Sequence, residues 1–167
     1  MRVMGIDCGS EYTGYGVVEQ RENRELVRCV SGAIKLKTKD AMPLKLQRIF
    51  AELTAIITEY QPEFVAIEDV FYAVNVKSAL KLGQVRGVAM LAASCCGLHV
   101  AEYAPLAIKS AVVGYGRAEK HQVQQMVTHL LHLSEPPEPS DAADALAIAI
   151  CHIHTAATLK RYHTATS

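Results

Sequence analysis

The chain has 167 residues, half of them apolar and a fifth charged. That is the size and composition of one folded domain with its own core, not of a disordered segment. Lys plus Arg equals Asp plus Glu at 17 each, which excludes a uniformly basic nucleic-acid glove, and no apolar run reaches the ~18 residues of a membrane span.

Val3 to Ile6 is a short apolar run closed by Asp7 and reads as a strand ending in a turn. Gly5 and Asp7 also fall where a secretory signal needs continuous apolar sequence. Tyr15–Glu19 and Cys29–Leu36 read as two further strands, and the polar RENRE between them points to antiparallel hairpins. Pro43 opens an amphipathic helix whose face carries Leu44, Leu46, Ile49, Phe50, Leu53, Ile56 and Ile57, and Pro62 prevents its continuation. Phe64–Ile67, ending at Glu68 and Asp69, has the pattern of a buried parallel strand. A second helix is expected over about 76–95, where Gly83 and Gly87 lie one turn apart and leave room for another helix. Leu98–Tyr103 is a fifth strand. Helices follow at about 117–133 and 141–155, separated by the non-helical SEPPEPS.

The expected order is three strands, helix, strand, helix, strand, helix, helix. It implies a mixed five-stranded sheet, three antiparallel strands and then two parallel ones, flanked by helices. Residues 1–155 form the domain, and 156–167 a polar tail expected to fray.

Charge is unevenly placed. Residues 70–133 hold six basic and two acidic groups, so the middle of the chain can face a polyanion while the whole stays neutral. Lys77, Lys81, Arg86, Lys109, Arg117 and Lys120 supply that excess, and each taken singly is equally a solvated side chain. The five cysteines are odd in number and include no C-x-x-C pair, which fits reduced thiols in a cytoplasmic protein better than a disulfide framework or zinc ribbon. His129 with His132, and His152 with His154, lack the Cys or carboxylate spacing of a metal site.

Four acids are harder to explain by solvation. Asp7 and Glu68 close strands that can lie side by side. Asp141 and Asp144 open the last helix at i, i+3 and share a face. Singly, Asp141 is a helix-capping or first-turn acid, and Asp7 and Glu68 end strands. Together at one point they would repel one another unless cations intervened. Two Mg²⁺ ions held about 4 Å apart by such a cluster are the usual machinery of phosphodiester hydrolysis.

The segments MGIDCGSEYTGYGVV, FVAIEDVFYAVN, SALKLGQVRGVA, KSAVVGYGRAEKHQV and DAADALAIAI occur in this order. Together they resemble the RuvC family of bacterial Holliday junction resolvases, of the RNase H-like superfamily, over about residues 3–154. The resemblance implies a homodimeric endonuclease that resolves four-way DNA junctions by two symmetric nicks in recombination and repair. It implies Mg²⁺, about two ions per site with Mn²⁺ as a substitute, on Asp7, Glu68, Asp141 and Asp144. It also implies an aromatic contact near the junction centre from Phe71, assisted by Tyr72, and phosphate contacts from Lys109 and Lys120. A branch-migration complex of the RuvA–RuvB type is the implied partner, and no membrane is. Two positions depart from the family pattern: Cys8 stands where GIDPGS has proline, and Val74 where a lysine is common. Cys8 is read as a spacer, since a thiol is a poor ligand for so hard an ion. Asp69 is read as a neighbour tuning the local field. Two other readings compete. One is a non-catalytic junction-binding scaffold. The other is an ATPase related to actin and the sugar kinases, whose phosphate loop G-I-D-x-G-S resembles but whose second domain has no counterpart here.

Overall fold

In the computed structural model, which describes residues 1–69 and 75–165 (side chains to 159), β1 (Arg2–Asp7) is the centre of a sheet built outward from it. It pairs antiparallel with β2 (Tyr12–Gln20), which pairs antiparallel with β3 (Leu26–Lys35). On its other side β1 pairs parallel with β4 (Phe64–Glu68), and β4 pairs parallel with β5 (His99–Tyr103). The sheet order is β3-β2-β1-β4-β5, the expected mixed arrangement.

Strand alternation gives the sheet two distinct faces. Met4, Ile6, Val17, Val65 and Ile67 bury against α1 (Met42–Tyr60) and α2 (Val76–Cys95). Val3, Val18 and Ala66 bury against α3 (Pro105–Val113), α4 (Lys120–Leu130) and α5 (Ser140–Ala165). α1 begins as expected, with its proline in the first turn, and ends where Gln61 turns left-handed before Pro62; of its apolar face, Ile49, Leu53 and Ile57 are buried while Leu44, in the first turn, lies exposed.

Three expectations need correction. α3 was not foreseen: Pro105 starts it, Gly114 at φ 95° ends it, and Ile108 and Val112 one turn apart anchor it. α4 begins at Lys120, later than expected, because the Glu119 side chain and the Gln122 side chain cap each other's backbone N–H groups. α5 continues to Ala165 instead of stopping near 155; Thr155 and Thr158 return their hydroxyls to the carbonyls of Cys151 and His154, four residues back.

The stretch Ser140–Leu159 of α5 is long and apolar enough to cross a membrane, although its two aspartates break any continuous apolar run. It is the core helix of this fold. Ala142, Ala143 and every residue from Ala145 to Ile153 are buried. Its approach to the sheet depends on glycine. A Cβ on Gly5 would collide with the Ala145 carbonyl oxygen and lie 2.7 Å from the Ala149 nitrogen. A Cβ on Gly14 would collide with the Asp141 carbonyl oxygen. Gly14 pairs with Asp7 across β1 and β2. The same small residues that seat α5 therefore bring its first turn over the end of β1.

Candidate active site

Asp7 and Glu68 occupy the ends of neighbouring parallel strands, one position beyond the Ile6–Ile67 pair. Both lie on the α5 face, in phase with Gly5 and Ala66. The residue after each acid, Cys8 or Asp69, falls by the same alternation on the α2 face. Asp144 projects from α5 beside them, and Lys120 from the start of α4 meets it, Nζ to Oδ2 at 2.6 Å. Asp7, Glu68, Asp144, Lys109 and Lys120 line a cleft of about 220 Å³ whose remaining wall is apolar: Pro105, Ile108, Val123, Ala147 and Ile148. α3 supplies much of that wall as well as Lys109. Asp141 stands at the edge, in the first turn of α5 over Gly14, and does not line the cleft.

The electrostatics carry the mark of crowded carboxylates. Burial pushes the Asp7 carboxyl up to about 7, and repulsion from Asp144, Glu68 and Asp141 adds to it, with Lys120 partly offsetting. Burial, then Asp144, also raises Glu68, while Lys109 and Lys120 pull it back. The Asp144 contact holds Lys120 more firmly protonated than an ordinary lysine. Among the described residues, no three acid, His or Cys side chains close around one point tightly enough to cage an ion by themselves. The donor set is all carboxylate oxygen, the chemistry of a hard cation that keeps several of its waters and needs few protein ligands.

The remaining predicted residues divide. Lys77 and Lys81 are exposed on α2, and Arg117 is exposed just before α4. Phe71, Tyr72 and Val74 lie outside the described residues. Arg86 is not where a DNA contact was expected. Its side chain, 18 % exposed, is folded against Asp69 and Glu102 on the α2 face, and its Nε donates to the Glu68 carbonyl at 3.2 Å. Asp69, expected only to tune the field, is thus paired. Alternation from Glu68 could have shown this, because Asp69 and Glu102 must share the face opposite the cleft.

Cys8 packs with the apolar cluster under α1 and α2, and its thiol is pushed up to about 12, chiefly by burial and then by Asp7. It is a neutral packing group. His152 is buried and bonded at Nδ1 to the Tyr103 hydroxyl at 2.9 Å, and His154 Nδ1 contacts the Ala111 carbonyl, so that pair is structural. A Cβ on Gly83 or Gly87 would meet nothing within 4 Å beyond their own helix, so the room they leave on α2 is filled by no other element of the described chain.

Comparison with known proteins points one way. The profile of the family described as "Crossover junction endodeoxyribonuclease RuvC" matches residues 3–152. The crossover junction endodeoxyribonuclease RuvC of Koribacter versatilis is 67% identical over 98% of both chains, and that of Acidobacterium capsulatum is 57% identical over 96% of this chain and 97% of its own. Thermus thermophilus RuvC, solved in complex with Holliday junction substrate, superimposes with a TM-score of 0.87 at 32% identity, covering 95% of this chain and 96% of its own.

Proposed function

The chain belongs to the RuvC family of crossover junction endodeoxyribonucleases, and we propose that it is a Mg²⁺-dependent resolvase. It cuts four-way (Holliday) DNA junctions by two symmetric nicks, in recombination and repair. The single observation that carries this reading is the cleft where Asp7, Glu68 and Asp144 meet Lys109 and Lys120. Acids alone would suit a cation store; acids with lysines at their rim suit a phosphodiester.

Asp7, Glu68, Asp141 and Asp144 are the residues that would hold Mg²⁺, about two ions, with Mn²⁺ able to replace it. Bound there, such ions supply an activated water and a counter-charge for the departing 3′ oxygen. The chain's own part is to bind and orient. Asp7 and Glu68 are fixed by the sheet, and Asp144 by a helix seated on glycine. Lys120, on an exposed stem (59 %), can turn from Asp144 to the scissile phosphate. Lys109 offsets charge beside Glu68. Phosphate contacts from these lysines and from Lys77, Lys81 and Arg117 supply affinity without sequence information. Phe71 and Tyr72, matched on the family motif, stack on unpaired bases at the junction centre.

Two nicks related by a two-fold axis require two sites, which a symmetric homodimer provides. The outward stripe of α2 supports that assembly: Val76, Leu80 and Leu91 are exposed, and Gly83 and Gly87 between them are open. Family membership extends the proposal to a cytoplasmic setting and to a branch-migration partner of the RuvA–RuvB type. The scaffold reading is disfavoured because all four acids are present and mutually crowded.

The test is substitution under two cations. Asp7→Asn, Glu68→Gln, Asp141→Asn and Asp144→Asn should each nearly abolish cutting in Mg²⁺ while junction binding in Ca²⁺ persists. A variant that cuts at the wild-type rate removes its residue from the site, and full activity in EDTA refutes the metal reading.

A further inference from the structure

We infer that Arg86 is a positioning residue for Glu68, acting from the face of the sheet opposite the cleft; the inference rests on the proposed cleavage reaction. Three observations lead there. Arg86 is anchored in α2, yet its guanidinium reaches the C-terminal ends of two strands at once: Asp69 just past β4, with Nη2 to Oδ1 at 3.4 Å, and Glu102 on β5. Its Nε donates to the backbone carbonyl of Glu68 itself. The same strand ends are joined by the Asp69 N–H donating to the Tyr103 carbonyl at 2.8 Å.

A planar fork with five donors can serve two carboxylates and a carbonyl together; a lysine, a point charge on a flexible stem, cannot. Without it, Asp69 and Glu102 would face one another uncompensated at the point where β4 ends. The strand ends would part, and the Glu68 backbone would lose a bond that fixes where its carboxylate enters the cleft. Displacement of a catalytic group by about 1 Å from such a remote change costs on the order of 100-fold in rate.

The experiment uses full-length protein and a synthetic four-way junction. Arg86→Met is expected to lower kcat about 10- to 100-fold, while the junction Kd in Ca²⁺ and its dependence on salt stay at wild-type values. Arg86→Lys should fall between the two, and Glu102→Gln should give a smaller loss in the same direction. In the same Arg86→Met protein, hydrogen exchange of the Asp69 amide should accelerate at least about tenfold, with the α4 and α5 amides unchanged. A weaker Kd with a shallower salt slope would instead make Arg86 a phosphate contact, as would tighter binding by Glu102→Gln, and either overturns the inference. So does an unchanged kcat, or an Asp69 amide that keeps its protection. If the wild-type protein cuts no junction, the proposed function fails; the exchange measurement still decides whether Arg86 holds the strand ends.

Discussion

Removing the charge of Asp7 should stabilise the protein while destroying its activity. The carboxyl is raised from 3.8 to about 7 by burial and by Asp144, Glu68 and Asp141. A carboxyl raised in the folded state costs stability as pH rises from its unfolded value through its folded one, and costs none below both. The window is therefore pH 4 to 7, and the full cost is present at pH 8. A rise of about three units at ~1.36 kcal/mol each sets a ceiling of about 4 kcal/mol. Asn is itself a buried polar group, so Asp7→Asn should recover about 2–4 kcal/mol of this ceiling. At ~2–4 °C per kcal/mol for a chain of this size, that is a gain in melting temperature of roughly 5–15 °C. Thermal melts in EDTA at pH 8 and pH 5 measure it. The variant should melt higher at pH 8, the gap should shrink at pH 5, and Mg²⁺ should raise the wild type more than the variant. An Asp7→Asn protein that melts at or below the wild type at pH 8 in EDTA would refute the claim that crowded carboxylates strain this cleft.

Three further outcomes follow from the packing. Gly14→Ala places a methyl against the Asp141 backbone; it should cost about 1–3 kcal/mol in urea unfolding and cut junctions more slowly at temperatures where it is fully folded. Burial lowers the pKa of His152, so its contribution is present above about 6.5 and is lost as pH falls below that; relative to His152→Phe, the wild type should lose stability between pH 7 and 5, and a constant gap contradicts this. Cys8→Ser should keep near wild-type cleavage while losing about 1–2 kcal/mol from the α2-side core; a folded, junction-binding Cys8→Ser that cannot cut would give the thiol a role in the chemistry.

The order of strands and the meeting of Asp7, Glu68 and Asp144 in one cleft were legible because each rests on a strong local signal. Apolar runs closed by Asp7 and Glu68 mark strand ends, and the i, i+3 spacing of Asp141 and Asp144 survives intact in α5. What escaped depends on weaker or non-local signals. α3 buries only Ile108 and Val112, too little periodicity to stand out, although Pro105 and Gly114 bracket it. The far end of α5 is polar and reads as a tail, yet its backbone simply continues the helix begun in the core. A count of basic residues could not separate Arg86, paired inside the fold, from Lys109 and Lys120, which face the cleft; that distinction needs the two faces of the sheet.

The most direct test is to map, strand by strand, the cuts made in an end-labelled synthetic four-way junction in Mg²⁺. The account predicts two nicks on strands of like polarity, placed symmetrically about the crossover and leaving ligatable ends, with a linear duplex of the same sequence left intact. A protein that melts cooperatively and binds the junction but leaves it whole, or that nicks the duplex equally well, would contradict it.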